Sequence, residues 1–128
     1  MDEKVSYWVD LSDYDIKTAQ SMLETERYLY VAFMCHQVIE KILKAYWQFR
    51  KKTLPPKTHN LSYLAKETGI MNDFSPEFLD FIDELEPLNI ETRYPSYKDA
   101  LIKKLDHPYS KYLIDKTMEF QKWIKEQL

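Results

Sequence analysis

The sequence contains a single glycine, Gly69, in 128 residues. Tight β-hairpin turns depend on glycine or Asn-Gly pairs because their central residues need positive φ angles. This scarcity argues against an all-β meander and favours helices. With 45% hydrophobic and 30% charged residues, the composition also excludes an intrinsically disordered chain. The length fits one domain that spans residues 1–128.

Charge and cysteine content limit which cellular compartments and which classes of partner fit this chain. The net charge is −3 and the pI is about 5.6, which argues against non-specific coating of nucleic acid but leaves room for a local basic cleft. The only cysteine, Cys35, has no partner for an internal disulfide. No apolar run reaches the length of a membrane span, and the first residues lack the pattern of a signal peptide. We therefore expect a cytoplasmic protein that does not associate with membranes.

Two long amphipathic helices are predicted in the first half of the chain. The first covers about residues 2–24, with a polar residue, Ser12, interrupting its apolar stripe. The second covers about residues 26–51 and has a wider apolar face. Its face is built from two series with a spacing of seven: Tyr28, Cys35, Ile42 and Phe49, then Val31, Val38 and Ala45. Its polar strip is predicted to be Gln37, Lys41, Lys44 and Gln48. A helix this apolar is central in the fold or is also covered by a partner.

The second half of the chain reads as shorter helices. Pro55-Pro56 ends the second helix. Residues 61–68 are predicted to form a short helix that ends at Gly69. Ser75-Pro76 begins another helix, over residues 77–86. Residues 87–97 contain two prolines and no periodicity, and are predicted to be a loop. Residues 98–105 are a short helix or the start of the last one, which begins at Asp106-His107-Pro108 and ends near residue 127. The predicted fold is all-α, an up-and-down antiparallel bundle of four to five helices.

The sequence offers little that would support catalysis or metal binding. His36 and Glu40 lie four residues apart and share a helix face, as an acid–base or metal-binding pair would. The alternative is a histidine that is hydrogen-bonded inside the bundle. No second cluster has metal-ligand spacing and Cys35 lies on an apolar face, so we predict no metal, no cofactor and no catalytic residue. His59 and His107 are expected to cap or brace the starts of helices.

The segment Glu91–Tyr97 is the better candidate for a site. Arg93 carries a charged fork that suits phosphate, and Tyr94 and Tyr97 offer rings on which a base could stack. Lys41 and Lys44 would add charge if their strip faces this segment. The alternative is structural, with Arg93 paired to a glutamate and the tyrosines packed against the fold.

Three segments, taken in order, resemble the HEPN family of helical domains. They are Cys35–Lys44 on the second helix, the Pro56–Leu61 connection, and Arg93-Tyr94-Pro95 before the last helices. The resemblance implies a helical bundle that usually dimerises and is often encoded beside a minimal nucleotidyltransferase, in a two-component or toxin–antitoxin arrangement. By resemblance, the nucleotide-binding site would contain Glu40, Lys41, Lys44, Arg93 and Tyr94. Glu40 and Arg93 would alternatively form a buried brace between helices.

Many HEPN domains are metal-independent ribonucleases, marked by an arginine followed after four to six residues by a histidine. Here Lys98, Asp99 and Ala100 occupy those places after Arg93, and neither Arg27 nor Arg50 has a histidine at that distance. The resemblance therefore predicts a nucleotide- or RNA-binding interaction module rather than an enzyme.

Two alternatives remain open at this point. One is a divergent ribonuclease in which His107 and Arg93 approach each other in the fold. The other is a purely structural oligomer whose apolar surplus forms a two-fold interface.

Overall fold

Helices account for all the regular secondary structure of the described backbone. The structure is a computed structural model, which describes the backbone of residues 1–128 and the side chains of residues 1–94 and 99–128. The α-helices are α1 (Glu3–Glu24), α2 (Tyr28–Lys51), α3 (Leu61–Thr68), α4 (Pro76–Leu85), α5 (Leu88–Glu91), α6 (Pro95–Lys104) and α7 (His107–Lys125), with a 3₁₀ turn at Ile70–Asp73. The predicted all-α class is confirmed. Among the described residues, no helix combines the length and the apolarity needed to cross a bilayer.

The contacts between helices establish the up-and-down order. Three residues join α1 to α2, so the two helices must run antiparallel. Near the end of α4, the Glu84 carboxylate accepts a hydrogen bond from Tyr109 Oη at 2.6 Å, at the start of α7. Phe78, near the start of α4, packs on Phe120, near the end of α7, with ring centroids 4.3 Å apart. The helices α4 and α7 are therefore antiparallel too, and α1, α2, α4 and α7 form the four-helix bundle.

Local sequence explains where most helices begin and end. Asn60, Ser75 and Asp106 are N-caps whose side chains accept hydrogen bonds from backbone amides three residues ahead. Gly69 ends α3 in the left-handed region, at φ 83°. The predicted starts at Ser75-Pro76 and Asp106-His107 and the predicted stop at Gly69 are confirmed.

The prediction of a loop over residues 87–97 is wrong. The segment contains α5, and α6 begins inside it at Pro95. Both prolines stand at helix starts, Pro87 as the residue before α5 and Pro95 in the first turn of α6, where a missing amide hydrogen costs nothing. A helix of four residues is also too short to show a period.

The helix α2 lies at the centre of the core, which is the first of the two alternatives predicted for it. More than half of its residues are buried. Ser12 of α1 interrupts the apolar stripe without leaving the core. Its hydroxyl donates to the Val38 carbonyl at 2.8 Å and accepts from Gln121 Nε2 of α7 at 2.9 Å, so it connects three helices.

Candidate functional site

One face of α2 carries four buried polar side chains at a spacing of four residues. His36, Glu40, Lys44 and Gln48 are 0%, 2%, 6% and 5% exposed, and we call them the buried polar row. Their spacing places them one helical turn apart. The predicted polar strip is therefore partly wrong, because Lys44 and Gln48 face the interior while Gln37 and Lys41 are partly exposed.

Glu40 is the centre of this row. Lys44 Nζ donates to its Oε2 at 3.1 Å, and His59 Nδ1 lies 2.8 Å from its Oε1. A carboxylate accepts hydrogen bonds only, so this contact places the imidazole hydrogen on Nδ1 and leaves the lone pair of a neutral ring on Nε2. A buried carboxylate needs such partners on both oxygens to offset the loss of water. His59 comes directly before the N-cap of α3, in agreement with the prediction that it braces a helix start.

His36 lies between two carboxylates. Its Nδ1 is 3.8 Å from Glu40 Oε1, and its Nε2 is 3.7 Å from Glu86 Oε2. Both distances exceed a hydrogen bond, and neither ring nitrogen has a hydrogen-bond partner among the described atoms. The prediction that His36 and Glu40 share a face is confirmed, but the predicted alternative of a hydrogen-bonded core histidine is not.

Glu86 connects this row to α3. Its two carboxylate oxygens accept the backbone amides of Leu61 and Ser62, each at 3.0 Å. These amides belong to the first turn of α3 and have no partner within the helix. Burial raises the pKa of Glu86, but the imidazole of His36 and the two amides lower it more, so the pKa lies below its ordinary value.

A cavity of about 430 Å³ opens where the α2–α3 connection faces α5. It is lined by His59, Asn60, Glu86, Asn89, Ile90, Arg93 and Tyr94, and we call it the Arg93 cavity. Arg93 Nε donates to the Asn89 carbonyl at 2.9 Å, which attaches the guanidinium to α5. Asn89 itself is 5% exposed, and its side-chain oxygen has no hydrogen-bond partner among the described atoms. The cavity therefore combines an exposed cation and an exposed ring with a buried acceptor that no described side chain or backbone group uses.

The five site residues suggested by the resemblance do not all gather here. Arg93 and Tyr94 line the cavity, and Glu40 and Lys44 reach it only through His59. Lys41 points elsewhere, with its Nζ 3.2 Å from Asp15 Oδ2 of α1.

The predicted brace between Glu40 and Arg93 is wrong, because Glu40 binds Lys44 and His59 while Arg93 binds the Asn89 backbone. Tyr97, whose ring is suggested for stacking, lies outside the described side chains. Pro95 of the Arg-Tyr-Pro motif lies outside them as well.

A family model of the HEPN domain matches residues 5–127 of the chain. The chain belongs to the HEPN family. Its fold is similar to the crystal structure of TT1696 from Thermus thermophilus, with a TM-score of 0.84, 18% sequence identity, and coverage of 99% of this chain and 100% of that one. At this identity the similarity is evidence of the fold alone. No curated protein matches the chain significantly.

In this HEPN domain the Cys35–Lys44 motif carries three members of the buried polar row, and the Pro56–Leu61 motif carries His59. The two motifs meet at the hydrogen bond between Glu40 and His59. Glu86 and Asn89 lie outside both motifs, and their part in the site follows only from the packing of α4 and α5.

The two other residues weighed for chemistry lie away from the cavity. His107 packs edge-on against Tyr28, with ring centroids 6.0 Å apart. It does not line the Arg93 cavity, and the histidine that does is His59. Burial raises the pKa of the Cys35 thiol to about 12. At neutral pH the Cys35 thiol is protonated and carries no nucleophilic chemistry.

Proposed function

We propose that this HEPN domain binds a nucleotide or a short RNA in the Arg93 cavity and acts as an interaction module rather than as an enzyme. The observation that carries the proposal is the grouping of Arg93, Tyr94, His59 and Asn89 in one cavity, where the Asn89 side-chain oxygen has no partner among the described atoms. These groups match three features of a nucleotide, which are the charged phosphate, the flat face of the base and the polar edge of the base.

Arg93 is the residue that binds the phosphate. Its Nε is held by the Asn89 carbonyl, and no carboxylate pairs with it among the described side chains. The guanidinium keeps its two terminal nitrogens for phosphate oxygens, and a planar fork suits that contact.

Tyr94 and Asn89 are the residues that bind the base. Tyr94 is 53% exposed and offers a ring face on which a base stacks. The Asn89 side-chain oxygen accepts from an amino or imino group of the base, and Glu86, which also lines the cavity, has lone pairs left beside its two bonds to the amides of α3. Two acceptors favour a base whose edge presents donors.

A thermal-shift panel of nucleotides and short RNAs tests this binding. A ligand present at 100 times its dissociation constant stabilises by about 2.7 kcal/mol, which raises the melting temperature by several degrees. We expect this shift in the wild type and in Arg50→Ala, which removes an exposed arginine from the end of α2, but not in Arg93→Ala. A ligand shift that survives in Arg93→Ala would contradict the proposal.

We propose further that the module is a cytoplasmic homodimer and the partner of a nucleotidyltransferase. An apolar groove between α1 and α2 supports an interface. It has about 520 Å³ and is lined by Thr18, Met22, Thr25, Arg27, Tyr30, Phe33 and Met34. Tyr30 is 54% exposed there, and aromatic and methionine side chains are enriched at protein interfaces.

Light scattering on wild type and Tyr30→Asp tests the dimer, with Tyr14→Asp as the control because Tyr14 is exposed outside the groove. We expect only Tyr30→Asp to give a monomer. Co-purification tests whether a nucleotidyltransferase is the second partner. A dimer that binds neither a nucleotide nor this enzyme would favour the purely structural oligomer.

One observation favours a ribonuclease as the second candidate. His59 is hydrogen-bonded to buried Glu40 and shares the cavity with Arg93. This pairing would give an oriented imidazole for proton transfer beside a cation for the phosphate. RNA cleavage that is lost in His59→Ala and retained in His107→Ala would support this candidate.

A further inference from the structure

A second cavity lies at the other end of the buried polar row. It has about 520 Å³, within the range of small-molecule sites, and lies between the start of α1 and the end of α2. Lys4, Tyr7 and Trp8 of α1 line one side, and Gln48, Lys52 and Leu54 line the other. None of these residues lines the Arg93 cavity.

Gln48 is the polar group of this cavity. The residue is 5% exposed, and its Oε1 has no hydrogen-bond partner among the described atoms. A buried carbonyl without a partner destabilises a fold, and an apolar side chain of the same size would pack there without that cost. The terminal amide torsion of glutamine is broad and roughly two-fold, so a half-turn about it exchanges Nε2 and Oε1 and presents Oε1 to a molecule in the cavity. The unused acceptor therefore points to a ligand that brings a hydrogen-bond donor.

Aromatic side chains supply the walls. Tyr7 and Trp8 meet edge to face, with ring centroids 5.2 Å apart. Tyr7 is 58% exposed and Leu54 is 75% exposed, which is a large apolar area for one small region of surface. Lys44 Nζ lies 5.5 Å from the centroid of the Trp8 ring and helps hold the indole in place. Such walls suit a flat ring, since aromatic pairs stack face to face with an offset or pack edge to face.

The rim of the cavity sets the charge of the ligand. Lys4 and Lys52 stand there with one acidic residue, Glu3, so the rim carries an excess of positive charge in a protein whose net charge is −3. Flexible ammonium groups pair with anions without demanding one geometry.

We propose that this cavity binds a planar aromatic anion whose ring carries an N–H donor. The ring packs against Tyr7 and Trp8, the N–H donates to Gln48 Oε1, and the anionic group lies at Lys4 and Lys52. This site is independent of the nucleotide site, because the two cavities share no residue.

Isothermal titration calorimetry with two probe pairs tests the proposal. The probes are indole-2-carboxylate and orotate. Each is compared with the N-methylated analogue that has no ring N–H left, which is 1-methylindole-2-carboxylate or 1,3-dimethylorotate. We expect both probes to bind the full chain saturably, and each methylated analogue to bind about tenfold more weakly, as the loss of one hydrogen bond to a buried acceptor implies.

Two variants assign the contacts. Gln48→Met removes the acceptor at similar volume, and we expect it to weaken both probes about tenfold, to leave the methylated analogues unchanged, and to melt no lower than the wild type. Tyr7→Ala alters an exposed ring, so the fold tolerates it, and we expect it to weaken every compound. Tyr14→Ala, on the same helix and 71% exposed, is the matched control and should bind as the wild type does.

Three results would overturn the proposal. The first is the absence of saturable binding for both probes at millimolar concentration. The second is equal affinity for a probe and its methylated analogue. The third is binding that Arg93→Ala abolishes and Tyr7→Ala leaves intact, which would move the probes to the Arg93 cavity. In contrast, failure of nucleotides to bind would leave this result unaffected, so the two proposals fail separately.

Discussion

The two sides of α2 are stabilised in different ways. One side buries aliphatic residues such as Ile39, Ile42 and Leu43, each 0% exposed, in the shared core, where stability grows with the apolar area removed from water. The other side buries the polar row, where Glu40 is held by contacts at 2.8 and 3.1 Å. Apolar packing tolerates many substitutions of similar volume, whereas a buried polar network depends on each partner. The first side therefore supports the fold, and the second side also leads to both cavities.

The largest loss of stability is expected in the shared apolar core that this first side of α2 helps to form. Phe120 is 0% exposed and packs against Phe74 and Phe78, with ring centroids 5.0 and 4.3 Å away. We expect Phe120→Ala to lower the free energy of unfolding by about 3–5 kcal/mol because it leaves a cavity. Urea denaturation at pH 5 and at pH 8 measures this loss, which should be the same at both values. A marked difference would show that the two sides are not separate.

A somewhat smaller loss is expected from breaking the network. Glu40→Leu leaves Lys44 buried without its partner, and we expect a cost of about 3 kcal/mol. The double variant Glu40→Leu with Lys44→Met replaces the pair by apolar groups and should recover most of that loss. Urea denaturation of the single and double variants forms the test, and losses that simply add would contradict the coupling.

Glu86 gives a smaller effect with a pH signature. We expect Glu86→Gln to cost about 1 kcal/mol at pH 7, because an amide group replaces one of the two oxygens that cap α3. The pKa of Glu86 is lowered in the folded protein, so its contribution is complete above the ordinary pKa of 4.5 and is lost as the pH falls through the folded value. The stability gap between wild type and variant should therefore close in acid.

Thermal melts from pH 7 to pH 3 measure this gap. Glu67→Gln is the control, since Glu67 is an exposed residue of α3, the helix that Glu86 caps. A gap that widens in acid would contradict the assignment.

The smallest effect is expected at Cys35, on the apolar side. Burial raises the pKa of its thiol to about 12, so a thiol reagent at pH 8 should not label the native protein. Labelling should begin only in urea, at concentrations where the whole domain unfolds. Fast labelling of the native state would show that this side of α2 opens locally.

Most of the fold is predictable from local signals. Periodicity identifies α1, α2 and α7, and the capping residues place the starts of α4 and α7. The helix α5 is not predictable, because it is four residues long and its proline looks like a helix breaker rather than a start. Its position depends on packing against α2 and α4.

The site is predictable only in part. Arg93 and Tyr94 stand out by residue type, but the contacts of Glu86 cross 24 and 25 residues and have no periodic signal. The polar strip is ambiguous for a geometric reason. Both Gln37–Lys41 and His36–Glu40 fit one turn of a helix, and the docking of His59 and Glu86 decides which pair is buried.

The cap that Glu86 provides to α3 has a consequence for the dynamics of the domain. The amides of Leu61 and Ser62 are satisfied by a residue that immediately follows α4, so α3 is fully capped only while α4 is docked. Hydrogen exchange at these two amides then reports on the opening of α4 rather than on the fraying of α3. Because Glu86 also lines the Arg93 cavity, a motion that releases α4 also displaces one of the residues that line that cavity.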